Sequence, residues 1–199
     1  MLGLPIGKFA FELQCAPRIT ASRRPTINVC HVAMADLWAG AEAQLAILLR
    51  SLARVPDLQM SAILFNDGRL ANELRDARIN THVIPEAGRT AWSIVKELRD
   101  YFRRHEIDVL HTHKYKDNIL GTLAALPREV PHLVRTIHGS PEPFVRLPAW
   151  KMSSYQMLDR LMNRWAVDRI VAVSSALRDS LIARFGRDNV GSPGKARPE

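Results

Sequence analysis

The sequence predicts an α/β domain with a Rossmann-like, doubly wound parallel sheet of about six strands. Short apolar runs alternate with longer amphipathic segments six times along residues 27–185. The first runs are continuously apolar, as in strands that are buried on both faces of a sheet. The segments between the runs have the length and periodicity of helices, which parallel strands need as crossovers.

The predicted strands have strand-like lengths and are bounded by turn residues. The first, INVCHVAMA, is apolar almost throughout, and the turn sequence Asn66-Asp67-Gly68 follows the second. In chain order, the strands are predicted at 27–35, 58–65, 79–85, 107–113, 132–139 and 168–175.

The predicted helices carry apolar residues three and four positions apart, which places those residues on one helix face. In the first helix, Leu45, Leu48, Leu49 and Leu52 follow this spacing. The helices are predicted at 41–54, 68–77, 90–105, 118–126, 149–166 and 175–185. Right-handed crossovers then place them on both faces of the sheet.

The chain divides into three segments. Residues 27–185 form the predicted domain, residues 1–26 a disordered basic extension, and residues 186–199 an irregular tail without periodicity. Hydrophobic residues make up 47% and charged residues 24% of the 199 residues. This balance is typical of a globular protein and excludes a disordered, collagen-like or coiled-coil chain.

The net charge of +8 does not indicate a nucleic-acid partner. The first 26 residues carry four basic residues and one acidic residue, whereas residues 27–185 carry 21 basic and 17 acidic residues. The sequence has no run of five like charges and no aromatic-basic motif of RNA-binding proteins. We therefore expect no nucleic-acid binding.

Cysteine usage and hydropathy indicate a cytoplasmic protein. Cys15 and Cys30 match neither a metal-binding nor a disulfide pattern. Cys30 lies in an apolar run and is predicted to be a buried thiol, which fits a reducing compartment. No stretch approaches the roughly 18 apolar residues that a membrane span needs.

The first candidate site residue is Gly40, between the first strand and the first helix. Ligands of open parallel sheets bind at the carboxyl ends of the strands, and a helix N-terminus there attracts phosphate. A structural alternative stays open, in which Gly40 only makes the turn and Glu42 favours the helix dipole. The G-x-G-x-x-G fingerprint and the P-loop are absent, which disfavours nicotinamide dehydrogenases and P-loop hydrolases.

Three histidines follow two of the predicted strands. His111 and His113 are two residues apart and therefore share a side of their strand, and His138 ends the next strand. Zinc binding is one interpretation and hydrogen bonding at the strand ends another. Because no Asp, Glu or Cys has a matching spacing, we expect no bound metal. The histidines to which the sequence assigns no role are His31, His82, His105 and His132.

Serines follow the sixth predicted strand. Ser174 or Ser175 is placed to cap the helix that carries Arg178. No G-x-S-x-G motif surrounds any serine, so a serine hydrolase is disfavoured.

Four motifs together resemble the N-terminal domain of family-4 glycosyltransferases. They are A-G-A-E at 39–42, D-V-L-H-T-H at 108–113, V-R-T-I-H-G at 134–139 and I-V-A-V-S-S-A-L-R at 170–178. The resemblance covers residues 27–185 and implies one half of a GT-B architecture, in which two Rossmann-like domains face each other across a cleft. In that family the N-terminal domain holds the acceptor and the C-terminal domain holds the nucleotide-sugar donor.

The resemblance implies roles for eight residues. His138 takes the place of the histidine that reaches the transferred sugar, and is the predicted catalytic residue. The residues implied to bind acceptor or donor are Gly40, Ala41, Glu42, His111, His113, Ser174 and Arg178. The family usually has two adjacent glycines where this chain has Ala39-Gly40.

The implied activity is that of a retaining, hexosyltransferase-like enzyme of polysaccharide biosynthesis. It moves a sugar from a nucleotide-sugar to a glycan or lipid-linked acceptor, without a metal or other cofactor. The E-x7-E motif of the family's second domain does not follow Phe185. We therefore expect a fragment, a frameshifted product or half of a split enzyme, inactive without a separate donor domain. The alternatives are a non-catalytic Rossmann-like binding module and half of another GT-B enzyme, such as a sugar-nucleotide 2-epimerase.

The predicted helix at 149–166 suggests peripheral contact with the inner face of a membrane. It combines the aromatic residues Trp150, Tyr155 and Trp165 with the basic residues Lys151, Arg160 and Arg164. In the alternative interpretation, Met152, Tyr155, Leu158 and Met162 pack against the sheet.

Overall fold

The computed structural model describes residues 26–35, 38–126, 129–139, 149–186 and 190. Within these residues, strands and helices alternate from Ile27 to Phe185. The strands are β1 Ile27–Met34, β2 Leu58–Phe65, β3 Asn80–Ile84, β4 Val109–Thr112, β5 His132–Ile137 and β6 Arg169–Ala172. The helices are α1 Gly40–Leu52, α2 Arg69–Asp76, α3 Ala91–His105, α4 Tyr115–Ala125, α5 Ala149–Trp165 and α6 Ser175–Phe185.

The six strands form one parallel sheet in the order β3-β2-β1-β4-β5-β6. The chain steps outward from β1 to β3, and then returns to place β4 on the other side of β1. The carboxyl ends of β1 and β4 therefore meet where the strand order reverses, which is the usual ligand position in open α/β sheets. The predicted fold class is confirmed.

Alternate side chains of the central strands supply two hydrophobic cores on opposite faces of the sheet. On one face, Cys30, Val32 and Leu110 share a core with residues of α3 and α4. On the other face, Val29 and Ala33 share a core with residues of α1 and α2. Cys30 is fully buried and free, as predicted, and burial raises the pKa of its thiol to about 12.

Some element boundaries differ from the prediction. Helix α4 begins at Tyr115 instead of residue 118, and β6 ends at Ala172 instead of residue 175. Val190 lies in the predicted tail, where it is buried and forms a parallel bridge with Ile170. The rest of the predicted tail after Gly186, and the predicted extension up to residue 25, lie outside the described residues.

Candidate functional site

Four histidines lie close together near the carboxyl ends of three neighbouring strands. His31 of β1 is in register with His111 of β4. His113 follows β4, and His138 follows β5. The structure therefore brings together the three histidines that the sequence places at strand ends, and adds His31.

The imidazole rings of these histidines, the histidine cluster, are in contact, and the ring of His113 stacks on those of His31 and His111. The ring centroids of His31 and His111 are 4.6 Å apart, those of His111 and His113 4.7 Å, and those of His113 and His138 5.6 Å. His31 is fully buried, and His113 is 5% exposed. His111 and His138 are half-buried and form the accessible part of the cluster.

Hydrogen bonds occupy ring nitrogens throughout the cluster. Nδ1 of His31 lies 3.0 Å from Nε2 of His113, and Nδ1 of His113 lies 3.3 Å from Nε2 of His138. Nδ1 of His138 lies 3.2 Å from Oε1 of Gln44 on α1. Nε2 of His111 lies 2.8 Å from Oγ1 of Thr136. Both ring nitrogens of His138 therefore have partners, and its Nδ1 side faces the exposed Gln44.

The sequence pattern leaves His31 out of the strand-end histidines, whereas the structure brings its side chain into the histidine cluster. His31 lies within β1 and not after it, so a search of strand ends passes over it. The signal that could have found it is the strand order, since β1 and β4 are neighbours in a doubly wound sheet. His82, His105 and His132 lie outside the cluster; His82 pairs with Glu97 on α3.

Burial keeps the histidine cluster neutral near pH 7. Desolvation, with a smaller contribution from nearby His138, lowers the pKa of His111 to about 4. Desolvation and the neighbouring imidazoles hold the pKa of both His31 and His113 well below the ordinary histidine value. The pKa of His138 is also lowered, first by burial and then by Lys114, while Glu42 opposes the shift. A neutral imidazole offers one N–H donor and one lone pair.

The N-terminus of α1 lies beside the cluster and is tied to α4. Glu42 is buried, accepts a hydrogen bond from the backbone N–H of Ala39 at 3.2 Å, and pairs with Nζ of Lys114 at 2.5 Å. A Cβ added at Gly40 would meet nothing within 4 Å. The first turn of α1 therefore faces open space at Gly40, as anion binding at a helix N-terminus requires.

A buried carboxylate fixes the backbone that carries His113. Asp117 of α4 accepts hydrogen bonds from the backbone N–H groups of His113 at 3.1 Å, Lys114 at 2.7 Å and Asn118 at 3.1 Å. Burial raises the pKa of Asp117 to about 7, although these donors favour the ionised form. The side chain thus caps α4 and holds the turn after β4.

Two predicted site residues have structural partners of their own. Ser174 caps α6, because its Oγ accepts a hydrogen bond from the backbone N–H of Leu177 at 3.2 Å. Arg178 is exposed and pairs with the adjacent Asp179 at 3.1 Å. In the described part of the chain, neither residue hydrogen-bonds to the histidine cluster.

Three members of the cluster also form a candidate metal-binding group. One nitrogen each of His31, His111 and His113 lie within 4.8 Å of one another. However, imidazole lone pairs lie in the ring plane, and the three ring planes are inclined by only 15° to 33°. The lone pairs do not converge as tetrahedral zinc requires unless the rings rotate out of the stack. The observed arrangement favours hydrogen bonding over metal binding.

Helix α5 combines a polar buried face with an exposed apolar stripe. Asp159 and Asn163 are buried, whereas Met157, Leu161 and Trp165 are 69%, 53% and 76% exposed. Of the residues predicted to pack against the sheet, Leu158 and Met162 are half-buried, but Tyr155 is 48% exposed. The packing alternative is therefore wrong for Tyr155, and the Met152 side chain lies outside the described residues. Among the described helices, none has the length and apolarity needed to cross a bilayer.

The strand order, with ionisable side chains gathered where it reverses, defines a doubly wound α/β domain. The family model described as Glycosyltransferase Family 4 matches residues 38–190. This match covers most of the chain, which therefore belongs to that family. The predicted family is confirmed.

Three known proteins are similar to this chain. UDP-Gal:alpha-D-GlcNAc-diphosphoundecaprenol alpha-1,3-galactosyltransferase of Escherichia coli is 27% identical over 126 residues, which are 59% of this chain and 31% of that protein. The structure of Anabaena Alr3699/HepE in complex with UDP shares 20% identity and a TM-score of 0.62, covering 83% of this chain and 43% of that one. A glycosyltransferase from Rickettsia africae gives 16% identity and a TM-score of 0.63, with 83% and 42% covered.

The solved structures support less than the family match does. The two structural likenesses are below 25% identity and show the fold, which is one Rossmann-like half of the GT-B architecture. The chain spans about a third of the length of the curated relative and less than half of the two solved chains.

Proposed function

We propose that this chain is the acceptor-side domain of a retaining glycosyltransferase, which moves a sugar from a nucleotide-sugar to a glycan or lipid-linked acceptor. The E. coli relative is named for a UDP-sugar donor and a diphosphoundecaprenol acceptor, which supports these two substrate classes. We propose that this transfer is a step in the synthesis of a polysaccharide. In the reaction, the bond from the anomeric carbon to the diphosphate breaks, and a bond to the acceptor oxygen forms on the same face. The proton of the acceptor hydroxyl passes to the departing diphosphate.

The observation that carries this proposal is the position of His138. It follows β5 at the carboxyl edge of the sheet, where its half-buried ring contacts Gln44 and His113. A sugar oxygen that replaces Oε1 of Gln44 would bind Nδ1 of His138 directly. The proposed role of His138 is to orient the transferred sugar by this hydrogen bond.

The N-terminus of α1 is the proposed contact for phosphate oxygens of donor or acceptor. Gly40 leaves open space there, and the backbone N–H groups of the first turn carry a partial positive charge. Lys114 lies nearby but is neutralised by Glu42 at 2.5 Å. In this proposal helix termini and basic residues stabilise the departing diphosphate, and no metal takes part.

The proposal places the nucleotide-binding residues on a second domain. In the family, the C-terminal Rossmann-like domain holds the nucleotide-sugar. This chain corresponds to less than half of the solved chains that it matches. We therefore expect turnover only when a donor-binding domain is supplied, with His111, His113, Ser174 and Arg178 on the side that faces it.

The test is sugar transfer from UDP-sugars to a lipid-linked N-acetylglucosamine diphosphate. The chain is assayed alone and fused to the donor-binding half of the E. coli relative. We expect transfer with retained anomeric configuration only from the fusion, and a loss of about 10²-fold in turnover with His138→Ala. His132→Ala is the matched control, because His132 is exposed at the opposite end of β5.

Three results would contradict the proposal. Wild-type turnover in the His138→Ala fusion would remove His138 from the reaction. Conversion of a UDP-sugar into its 2-epimer without an acceptor would favour the epimerase alternative. Absence of transfer from every UDP-sugar and acceptor pair would favour a non-catalytic binding module.

We also propose that α5 lies against the inner face of an anionic membrane, where a lipid-linked acceptor is anchored. Met157, Leu161 and Trp165 are spaced four residues apart and form an exposed stripe, and Arg160 and Arg164 are exposed beside it. Apolar and aromatic side chains next to basic ones are typical of helices that lie in the lipid headgroup region. The positive charge of the two arginines complements the negative charge of anionic lipid.

Liposome co-sedimentation tests this contact. We expect binding to vesicles that contain anionic lipid, and loss of binding in the double variant Leu161→Ser with Trp165→Ser. Trp92→Ser is the control, since Trp92 is 70% exposed but lies on α3. If the wild-type chain does not sediment with anionic vesicles at low salt, the membrane contact is wrong.

A further inference from the structure

Three histidines and a glutamine form one hydrogen-bonded series that runs from the interior to the surface. Nδ1 of His31 meets Nε2 of His113 at 3.0 Å, and Nδ1 of His113 meets Nε2 of His138 at 3.3 Å. Nδ1 of His138 then meets Oε1 of the exposed Gln44 at 3.2 Å. The series begins at a fully buried ring and ends beside the predicted sugar position.

The bonds of this series must all run in the same direction when the rings are neutral. A neutral imidazole has one N–H donor and one lone pair, so a ring that donates from one nitrogen accepts at the other. Both nitrogens of His113 and both nitrogens of His138 are engaged. Fixing the proton on any one ring therefore fixes it on the other two.

The inner end of the series selects the outward direction, in which every Nδ1 donates, and the outer end agrees with it. The exposed amide of Gln44 can present either its oxygen or its NH2 group, and in the structure its Oε1 faces Nδ1 of His138. At the inner end, Nε2 of His31 is buried without a hydrogen-bond partner among the described residues. The outward direction leaves a lone pair at this atom, whereas the inward direction leaves an N–H group. A buried donor without a partner is the rarer case in proteins.

We propose that His31 and His113 are positioning residues that hold His138 in the tautomer with its proton on Nδ1. His138 then presents an N–H donor, and not a lone pair, on the side where Gln44 now accepts. The identity of the ligand rests on the proposed function: the Nδ1–H group of His138 donates a hydrogen bond to an oxygen of the transferred sugar. His138 therefore orients the sugar and does not remove a proton through Nδ1.

His111 is in contact with the series but is not part of it. Its ring stacks on that of His113 and lies tilted against that of His31, and its Nε2 lies 2.8 Å from Oγ1 of Thr136 on β5. Asp117 fixes the backbone of His113, so this ring keeps its place between His31 and His138. The stack and this backbone anchor define the ring positions, and the hydrogen-bonded series defines the protons.

The test is nitrogen-15 NMR of the histidine rings in the 199-residue chain near pH 7, which distinguishes a protonated from an unprotonated ring nitrogen. We expect His138 to carry its proton on Nδ1. In His31→Asp an ionised carboxylate replaces the first donor and can only accept from Nε2 of His113. The direction of the series is then reversed, and we expect the proton of His138 to move to Nε2 in a large share of molecules. His31→Asn places an amide near the former Nδ1 and should restore the wild-type tautomer. His132→Asn is the control, and should leave His138 unchanged.

Turnover of the fused enzyme gives a second measurement. We expect a loss of about tenfold in His31→Asp and wild-type turnover in His31→Asn, because in His31→Asp one hydrogen bond is misdirected and no substrate contact is removed. Protonation of His138 on Nε2 in the wild-type chain would overturn the inference, and so would an unchanged tautomer in His31→Asp. The spectra need no activity, so the inference can fail while the proposed function stands, and the reverse also holds.

Discussion

Nη1 of Arg135 lies 2.7 Å and 2.9 Å from the two carboxylate oxygens of Asp159, and both side chains are buried. The pair joins β5 to α5 on the face of the sheet opposite the histidine cluster. Asn118 of α4 and Asn163 of α5 also donate to Asp159, at 2.9 Å and 3.2 Å. A polar network therefore attaches α5 to β5 and α4, whereas many helices pack against a sheet through an apolar face.

Removing the charge of Asp159 should destabilise the domain strongly. Asp159→Asn leaves the Arg135 guanidinium buried without its counter-charge, and we expect a loss of about 3–5 kcal/mol in the free energy of unfolding. Urea denaturation measures it. The control is Asp179→Asn, which breaks the exposed pair with Arg178 and should change stability by about 0.5 kcal/mol or less. Equal effects of the two variants would show that the buried network is not needed.

Gly68 is a second position where the fold permits little change. A Cβ added there would lie 2.6 Å from the backbone oxygen of Ala35, so the turn between β2 and α2 would have to move away from β1. We expect Gly68→Ala to lower stability by about 1–3 kcal/mol. Gly40→Ala is the matched variant, because the added Cβ meets nothing within 4 Å.

Gly40→Ala also separates stability from function. At the start of α1, alanine favours the helix by up to about 1 kcal/mol over glycine, so the melting temperature should stay equal or rise. If the backbone at Gly40 approaches a phosphate, the same methyl group should lower turnover of the fused enzyme. If Gly40→Ala were less stable than Gly68→Ala, this result would contradict the open space seen at Gly40.

Most of the fold can be predicted from the sequence, because apolar runs and helical periodicity are local signals. The boundaries that differ depend on contacts at helix starts. Helix α4 begins early because Asp117 accepts the backbone N–H of Lys114, in a stretch without apolar periodicity. Strand β6 is predicted too long because the cap residue Ser174 is itself extended, with φ of −147° and ψ of 158°.

The candidate site can be predicted only in part, for a related reason. His111, His113 and His138 follow apolar runs and can be found as residues at strand ends. His31 lies inside β1, and its contact with His113 depends on the register of β1 against β4. The pairing of Glu42 with Lys114 likewise joins the starts of two helices, at residues that are 72 positions apart. Contacts of this kind follow from the packing of the sheet and not from local spacing.

Asp117 should contribute more stability than an ordinary helix cap. It is buried and accepts three backbone N–H groups, whereas Thr90 at the start of α3 is exposed and accepts one, from Ser93. We expect Asp117→Ala to lower the free energy of unfolding by about 2–3 kcal/mol, and Thr90→Ala to lower it by about 1 kcal/mol. Thermal unfolding of the two variants gives the comparison. A larger loss in Thr90→Ala would show that the buried carboxylate does not hold the turn.

The histidine cluster should make the domain less stable in acid. The pKa of His111 is lowered to about 4 in the folded chain, and those of His31 and His113 also lie well below the ordinary value. An unfolded chain takes up protons at these residues below about pH 6.5, whereas the folded chain does not. The contribution of these neutral histidines to stability is therefore fully present above about pH 6.5. It is lost as the pH falls toward the pKa values that the histidines have in the folded chain.

Asp117 has the opposite sign, and a histidine variant separates the two effects. Its pKa is raised to about 7, so its contribution to stability is lost as the pH rises from about 4 through 7. Three histidines against one carboxyl group leave stability rising with pH between about 4.5 and 6. His31→Asn removes one of the buried histidines, so the slope of unfolding free energy against pH should fall by about 1.4 kcal/mol per pH unit. Urea denaturation at several pH values measures the slope, with the exposed His132→Asn as a control that should match the wild type. A wild-type domain that loses stability from pH 4.5 to 6 would show that Asp117 outweighs the histidines.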